Sequence, residues 1–375
     1  MESKENVLFL VQLPPPVHGA ALMNETLVNS KVITNRFNVK VLPLRFAKRI
    51  SDISRFSLLK LLKVLVVAFE LMWYVVSFKP RVVYFTISPV GIALYRDCIY
   101  VAILKMLNVK RIFHLHTKGV RTVVERSCWR RVLYKWIFRG ADVVLLSPLL
   151  FDDIEDVYDC GKSVFYVSNG IRVVLGDEEF TLLMKRKMSH VEGVRVLFLS
   201  HMMVTKGPLL VLEAAKILMS EGLSFRISFV GDWYDDECKN KFFDLVDEYG
   251  LGDIVEFLGP KYGEEKFEIL KSSGILVFPT YREVFSVVLL EAMQFGLPVI
   301  STFEGAIPEI VENNVTGFLV PKGDVVSLAE RMALLIKDAN LRVKMGLAGR
   351  KRFMERYTSD RFEQNMLGVL EVVCG

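Results

Sequence analysis

Two glutamates eight positions apart, Glu283 and Glu291, sit where the apolar run Ile275 to Pro279 gives way to a helical pattern beginning near Phe285 or Ser286. With Ser286 as the capping residue, Glu283 lies in the loop and Glu291 two turns into the helix, about 8 Å farther along its axis. Between them the amides of Phe285, Ser286, Val287 and Val288 are the unsatisfied donors of a helix N-terminus, which attract anions. Ionised carboxylates accept hydrogen bonds from hydroxyls at about 1.5 to 3 kcal/mol each. The pair therefore suits a ligand with hydroxyls on both flanks of a phosphate group, Glu283 on a sugar diol and Glu291 on a ribose diol. A nucleotide sugar is such a ligand. Two solvated helix charges are the plain alternative, but the surrounding helix is otherwise apolar, and Glu291 within it needs a partner.

Three further loops carry residues suited to the same chemistry. In Gln12 to Ala21 three prolines stiffen a strand exit, and Gly19-Ala20 permits close backbone approach ahead of a helix. A phosphate, an acceptor group or merely a rigid turn fits there. In Phe113-His114-Leu115-His116-Thr117-Lys118-Gly119 two of the five histidines alternate at the end of a strand. His114 reads as a hydrogen-bonded core residue, and His116, nearer the rim, as a cleft residue. Metal ligands at suitable spacing are not visible, so no metal site is expected. In Ser200 to Gly207, Lys206 stands just before a helix and adds a point charge to amides that can cradle a diphosphate. As a bare pattern any surface lysine before a glycine matches it.

The elements that must position these loops follow from hydropathy. Short runs rich in Val, Ile and Phe recur between longer helical patterns: Val7 to Leu13, Val39 to Leu44, Val82 to Ile87, Arg111 to His116 and Val143 to Ser147. A second series comprises Val194 to Ser200, Arg226 to Gly231, Ile254 to Leu258, Ile275 to Pro279, Pro298 to Thr302 and Phe318 to Val320. Such alternation marks parallel sheets with helical crossovers, and 375 residues are too many for one ordinary core. The expected fold is α/β, with two doubly wound Rossmann-like domains. Residues 1–175 form the first, 176–193 a linker with one short helix, 194–350 the second, and 351–375 a helix returning to the first.

Composition narrows the function classes. Five cysteines are odd in number, widely spaced and free of any CxxC pattern, which points to a reducing, cytoplasmic compartment without structural zinc. The polar N-terminus followed by a short apolar run lacks the form of a secretion signal. Residues 1–175 hold 25 Lys/Arg against 13 Asp/Glu, whereas residues 176–375 hold 23 against 30. Arg45, Lys48, Arg49, Arg55, Lys60 and Lys63 lead into the apolar Leu61 to Val76 segment. An amphipathic helix pressed on an anionic membrane, and a solvated basic face on a core helix, are both open. Lys60, Lys63 and Glu70 interrupt Leu58 to Phe78, so it is not read as a spanning helix. Nucleic acid is not expected as a partner, since the basic residues are scattered and no binding motif accompanies them.

Assembled in order, these segments resemble the family 4 glycosyltransferases of the GT-B fold, specifically the bacterial type that builds cell-surface polysaccharide. The residues that carry the resemblance are the Glu283/Glu291 pair within Pro279 to Ala292, then Gly296-Leu297-Pro298-Val299-Ile300. Gly305-Ala306-Ile307-Pro308-Glu309-Ile310-Val311, Thr316-Gly317-Phe318-Leu319-Val320 and Ser168-Asn169-Gly170-Ile171 complete the set. The resemblance implies two domains facing a cleft and a retaining reaction without an essential metal or other cofactor. The expected donor is a UDP- or GDP-sugar and the expected acceptor a glycan or lipid-linked acceptor, which the basic first domain suggests is met at the inner face of the cytoplasmic membrane. By position the resemblance assigns Glu283 and His116 to the donor sugar, Glu291 to the ribose and Lys206 to the diphosphate, beside the Phe285, Ser286 and Val287 amides of the helix end. Gly19 matches the glycine that approaches the phosphates.

Two positions depart from the family pattern. His201 stands where the family often has an arginine on the diphosphate, and Ala20 replaces a second glycine. A neutral imidazole is the poorer phosphate partner, so the charge must come from elsewhere or donor affinity falls. This keeps a rival reading open, a non-catalytic nucleotide-sugar-binding subunit that scaffolds a polysaccharide assembly complex. A nucleotide-sugar epimerase or a sugar phosphorylase would require further acid/base carboxylates or a phosphate-binding set in the first domain, and neither is visible.

Overall fold

A computed structural model describes residues 4–15, 18–46, 58–189 and 193–375. The basic residues Lys48, Arg49 and Arg55 and the loop residues Pro16 and Val17 lie outside them. The chain divides into two compact units, Met1–Gly170 with Ser359–Gly375, and Ile171–Thr358.

The first unit is built on six parallel strands, β1 (Asn6–Val11), β2 (Asn38–Pro43), β3 (Val82–Phe85), β4 (Lys110–Leu115), β5 (Asp142–Leu145) and β6 (Val164–Tyr166), in the order β2-β1-β3-β4-β5-β6. Its helices α1 (Gly19–Asn29), α2 (Lys31–Arg36), α3 (Leu58–Phe78), α4 (Ile92–Met106), α5 (Val120–Glu125) and α6 (Cys128–Phe138) are the crossovers. Both faces of the sheet are covered, so β1, β3 and β5 read as continuous apolar runs with no alternation. Edge-to-face contacts link Phe85 to Phe113 and Phe113 to Phe138, each with ring centroids 6.0 Å apart, beneath α3, α4 and α6. The edge strand β6 was absent from the strand pattern, because it has three residues and none is fully buried.

The second unit repeats the plan with β7 (Val194–Leu199), β8 (Phe225–Val230), β9 (Val255–Gly259), β10 (Ile275–Phe278), β11 (Val299–Thr302) and β12 (Gly317–Val320), all parallel, ordered β12-β11-β10-β7-β8-β9. Around them lie α7 (Asp177–Ser189), α8 (Pro208–Ser220), α9 (Asp236–Glu248), α10 (Gly263–Ser272), α11 (Val287–Gln294), α12 (Ile307–Ile310), α13 (Val325–Lys337) and α14 (Ala339–Arg356). Side chains cap several at the N-terminus: Asp235, Asp324 and Asp338 accept from the amides of Cys238, Ser327 and Leu341. The segment expected as a linker with one short helix holds the 13-residue helix α7, which clusters with this unit. Phe180, Leu183 and Met184 are buried, and the Arg350 guanidinium reaches both the Leu175 carbonyl and Asp177. Five apolar residues among eight charged or polar ones gave too faint a periodicity to show this packing.

The last helix, α15 (Ser359–Cys374), returns to the first unit. It buries Phe362, Met366, Val369, Leu370 and Val373 at three- and four-residue spacing. Polar ties fix its register there: Ser30 to Glu363 at 2.5 Å, Arg36 to Glu371 at 3.1 Å, and Lys110 to the Val373 carbonyl at 2.9 Å. Helix α3 differs from expectation in one respect. Its stretch Leu61–Phe78 is long and apolar enough to cross a membrane by length and composition, despite Lys63 and Glu70. Val64, Val67, Leu71, Val75 and Phe78 nonetheless pack into the core of the first unit.

Candidate functional site

In each sheet the crossovers run outward in both directions from a central pair of strands. In the second unit that switch point lies between β7 and β10, and loops leaving the carboxyl ends of such strands frame a crevice for ligands. The two loops are 200–207 and 279–286, which hold Lys206 and Glu283. They are stitched together by the Thr280 hydroxyl and the Tyr281 amide, both donating to the Thr205 carbonyl at 3.1 and 2.9 Å. Gly207, with φ +82°, ends the short 3-10 turn Val204–Lys206. A Cβ there would stand 2.3 Å from the Pro279 carbonyl oxygen, so only glycine lets the two loops meet.

This meeting brings Lys206 and Glu283 together. The Lys206 ammonium donates to Glu283 Oε2 at 2.9 Å and to the Arg282 carbonyl at 3.2 Å. The other oxygen of Glu283, Oε1, accepts from the Val284 amide at 3.0 Å. The Glu283 amide in turn donates to Glu304 Oε1 at 3.3 Å, and Glu304, almost wholly buried, pairs with Lys322 at 2.8 Å. Gly305 completes the loop with φ +54°, and a Cβ on it would lie 2.5 Å from the Glu283 carbonyl oxygen and 2.7 Å from that of Val284.

Helix α11 starts at Val287, one or two residues later than the sequence pattern places it. Ser286 is its N-cap residue but makes no side-chain cap hydrogen bond. The first-turn amides have no intrahelical acceptor, and this end of the helix has no side-chain acceptor from Ser286 either. Phe285 is buried, with its ring edge-on to Tyr357 at 6.2 Å, so packing anchors the entry to the helix. Glu291, one turn farther in, has the partner its apolar setting demands: Lys266 of α10, at 2.6 Å. Among the described residues, then, Glu283, Glu291 and Glu304 are each matched by a lysine at 2.6 to 2.9 Å. Lys266, Glu304 and Lys322 were not legible in the sequence, where nothing sets them apart from other surface charges. His201 is exposed at the start of the Lys206 loop, its carbonyl accepting from the Met203 amide.

Gly19 and His116 belong to the first unit, where the structure adds a residue that the sequence reading passed over. His18 is the N-cap of α1, its Nδ1 accepting from the Ala21 amide at 3.3 Å. Its position directly ahead of Gly19-Ala20-Ala21 was the available signal. Gly19 opens α1 and is exposed. His114 is fully buried and pairs through Nδ1 with the Tyr84 hydroxyl at 2.5 Å. His116 is half-buried beside it, ring centroids 4.1 Å apart, and the Nε2 atoms of both are enclosed without a protein partner. Burial, reinforced by His18, pushes His116 down to about 3, and burial holds His114 well below the ordinary histidine value. Both imidazoles are therefore neutral at pH 7 and can exchange hydrogen bonds with hydroxyls. No cluster of three or more metal-ligating side chains is found among the described residues.

Comparison with known proteins is consistent with these features. The fold is that of the GT-B class, shared with a glycosyltransferase from Rickettsia africae ESF-5 (TM-score 0.76, 16% identity, 99% of this chain and 98% of that one). HepE of Anabaena in complex with UDP gives a TM-score of 0.76 at 18% identity, covering 98% of this chain and 100% of that one. Residues 183–352 match the sequence model of the family described as glycosyl transferases group 1.

Among curated relatives, a putative colanic acid biosynthesis glycosyltransferase, WcaL of Escherichia coli K12, is 32% identical over 208 residues, 53% of this chain and 49% of that protein. The amylovoran biosynthesis glycosyltransferase AmsK of Erwinia amylovora is 29% identical over 209 residues, 54% and 50% respectively. The chain thus spans about half the length of the curated relatives it matches.

Proposed function

We propose that the protein is a retaining glycosyltransferase that moves a sugar from a UDP- or GDP-sugar to a glycan or lipid-linked acceptor during assembly of cell-surface polysaccharide. The observation that carries this reading is the Lys206–Glu283 pair at the switch point, set against the α11 N-terminus without a side-chain cap. Relatives named for colanic acid and amylovoran biosynthesis, and a structural neighbour holding UDP, support the polymer and the nucleotide.

In this reading the diphosphate lies at the Phe285, Ser286 and Val287 amides with Lys206 supplying positive charge. Glu291 takes the ribose hydroxyls, and Lys266 orients its carboxylate. Glu283 takes hydroxyls of the donor sugar and so positions it. The bond from the anomeric carbon to the leaving phosphate oxygen breaks as that carbon bonds the acceptor oxygen on the same face. The leaving phosphate oxygen receives the acceptor proton, so no carboxylate serves as the base. From the first unit, neutral His116 offers a hydrogen bond to a sugar hydroxyl, and Gly19 an approach unhindered by a side chain. His201 is assigned to the edge of the donor site, with Lys206 bearing most of the phosphate charge. No metal or other cofactor is required, since Lys206 and the amides stabilise the leaving group.

The test is a thermal-shift and calorimetric screen of the purified chain against UDP, GDP and their sugars, followed by a donor-hydrolysis or transfer assay. Stabilisation by one nucleotide with turnover of its sugar supports the reading. Tight binding with no turnover of any donor, with or without lipid acceptors, would instead favour a non-catalytic binding subunit.

A further inference from the structure

Helix α3 buries one face and leaves a second, equally apolar face bare. Val64, Val67, Leu71, Val75 and Phe78 point into the core. On the other side Leu62, Val66, Phe69, Trp73 and Val76, spaced by three and four residues, are 55 to 71% exposed. The polar residues Lys63, Glu70 and Ser77 are seven apart, so they form a seam one residue wide between the two apolar faces. A helix at the surface of a soluble domain normally turns charged and polar residues outward, and α3 does not.

Its neighbours repeat the feature. On α4, Ile92, Tyr95, Ile99 and Met106 are 39 to 70% exposed at the spacing of a single stripe. On α6, Trp129, Val132 and Trp136 are 36 to 68% exposed and likewise share a stripe. The crossovers β2 to β3, β3 to β4 and β4 to β5 all advance in the same direction across the sheet, so right-handed connection puts α3, α4 and α6 on one face of it. Contacts join them: the Tyr100 hydroxyl of α4 donates to the Val64 carbonyl of α3 at 3.4 Å, and Lys105 of α4 lies 4.5 Å over the Trp136 ring of α6. Three of the four tryptophans of the chain, Trp73, Trp129 and Trp136, stand exposed on this one face.

The charge on the face is predominantly basic. The three helices hold seven Lys/Arg against two Asp/Glu, and one of those acids, Asp97, is fully buried and tied to Arg96 at 2.7 Å. A second copy of the chain would set basic face against basic face. A surface that is apolar, rich in tryptophan at its rim and basic is complementary to an anionic lipid bilayer, where aromatic rings settle at headgroup depth and Lys/Arg meet the phosphates.

We propose that the α3–α4–α6 face of the first unit docks in the plane of an anionic phospholipid membrane, with Phe69 and Trp73 entering the acyl boundary. This deepens the proposed function by naming the surface through which a lipid-linked acceptor is met. It is tested separately, because nucleotide binding in solution measures the one and vesicle binding the other.

The full chain is floated with vesicles of phosphatidylcholine alone and with 30% phosphatidylglycerol. Binding is expected to the anionic vesicles, to weaken as salt rises, and to be accompanied by a blue shift of tryptophan fluorescence. The double variant F69S/W73S should lower partitioning tenfold or more, and R130E/K135E should abolish the preference for anionic lipid. The control V326S, exposed on the second unit, should change neither. Phe69, Trp73, Lys135 and Val326 are exposed and Arg130 is partly so, so melting temperature and nucleotide binding should persist and show that the variants are folded. Absence of vesicle binding, binding unaffected by F69S/W73S, or a dimer that the same variant dissociates would overturn the proposal. Resistance to extraction by alkaline carbonate would overturn it too, since that marks a spanning helix.

Discussion

Lys206, which the proposed function gives to a diphosphate, is engaged by Glu283, which it gives to a sugar, and this makes Glu283→Gln a sharp perturbation. Lys206 and Glu283 meet at 2.9 Å with side chains 20% and 18% exposed. Coulomb attraction at that distance is about 1.4 kcal/mol in water and about 5.7 kcal/mol at an effective dielectric of 20, before the costs of desolvation and ordering. Measured couplings of pairs still touched by solvent lie near 1 kcal/mol or below. The neutral amide releases that amount, so Lys206 becomes freer to bind phosphate, and UDP or GDP should bind unchanged or up to about fivefold tighter.

The sugar fares differently. Replacing a charged acceptor by an amide weakens two hydroxyl contacts of about 1.5 to 3 kcal/mol each while retaining weaker ones. A net loss of about 2 to 3 kcal/mol, or roughly 30- to 150-fold in kcat/KM, follows. The glutamine oxygen can still accept from the Val284 amide, so the loop keeps its form. Calorimetry with the free nucleotide and steady-state transfer with its sugar read the two effects separately. A nucleotide affinity that falls tenfold or more, or a transfer rate that does not fall, refutes this division of labour.

Gly305→Ala forces a Cβ to within 2.5 Å of the Glu283 carbonyl oxygen at φ +54° and should cost about 1 to 3 kcal/mol of stability. Because the displaced loop carries Glu283, transfer should drop at least tenfold in a chain that still melts cooperatively; wild-type kinetics would show that the loop does not place the sugar. His114 and His116 have depressed values in the fold against about 6.5 when unfolded, so their contribution is complete above pH 6.5. It is lost as pH falls from about 6.5 toward 3, by up to about 1.4 kcal/mol per pH unit for each group. Melting curves from pH 7.5 to 5 should fall less steeply for His116→Asn than for the native chain, and parallel slopes would remove His116 from this account. Prolonged dialysis against EDTA should leave transfer within about twofold, whereas loss restored by a divalent cation would show that Lys206 and the α11 amides do not suffice.

Much of this molecule was visible as local pattern. Strands such as Val82–Phe85 and Ile275–Phe278 are buried on both faces, so their apolar runs needed no knowledge of neighbours. The Glu283/Glu291 spacing was legible for the same reason, since eight positions across a loop and a helix start place both carboxylates whatever surrounds them. The packing of helix α7 was not, because Phe180 and Met184 settle against Gly296 and Gly346 and the Lys187 ammonium donates to the Phe295 carbonyl, all far along the chain. Nor was His18, whose effect on His116 depends on a contact nearly a hundred residues distant in the chain.

The sequence by itself determined two alternating series of strands and helices, the loops that end them, and the residue types those loops carry, because periodicity and helix termini are properties of neighbouring residues. Tertiary structure decided the rest: the strand order that makes β7 and β10 a switch point, and the lysine that meets each acid. It also decided which side of α3 the core covers. These outcomes join segments tens to hundreds of residues apart. Hydropathy counts how many apolar side chains a helix carries, and only packing determines how many of them are left for a partner.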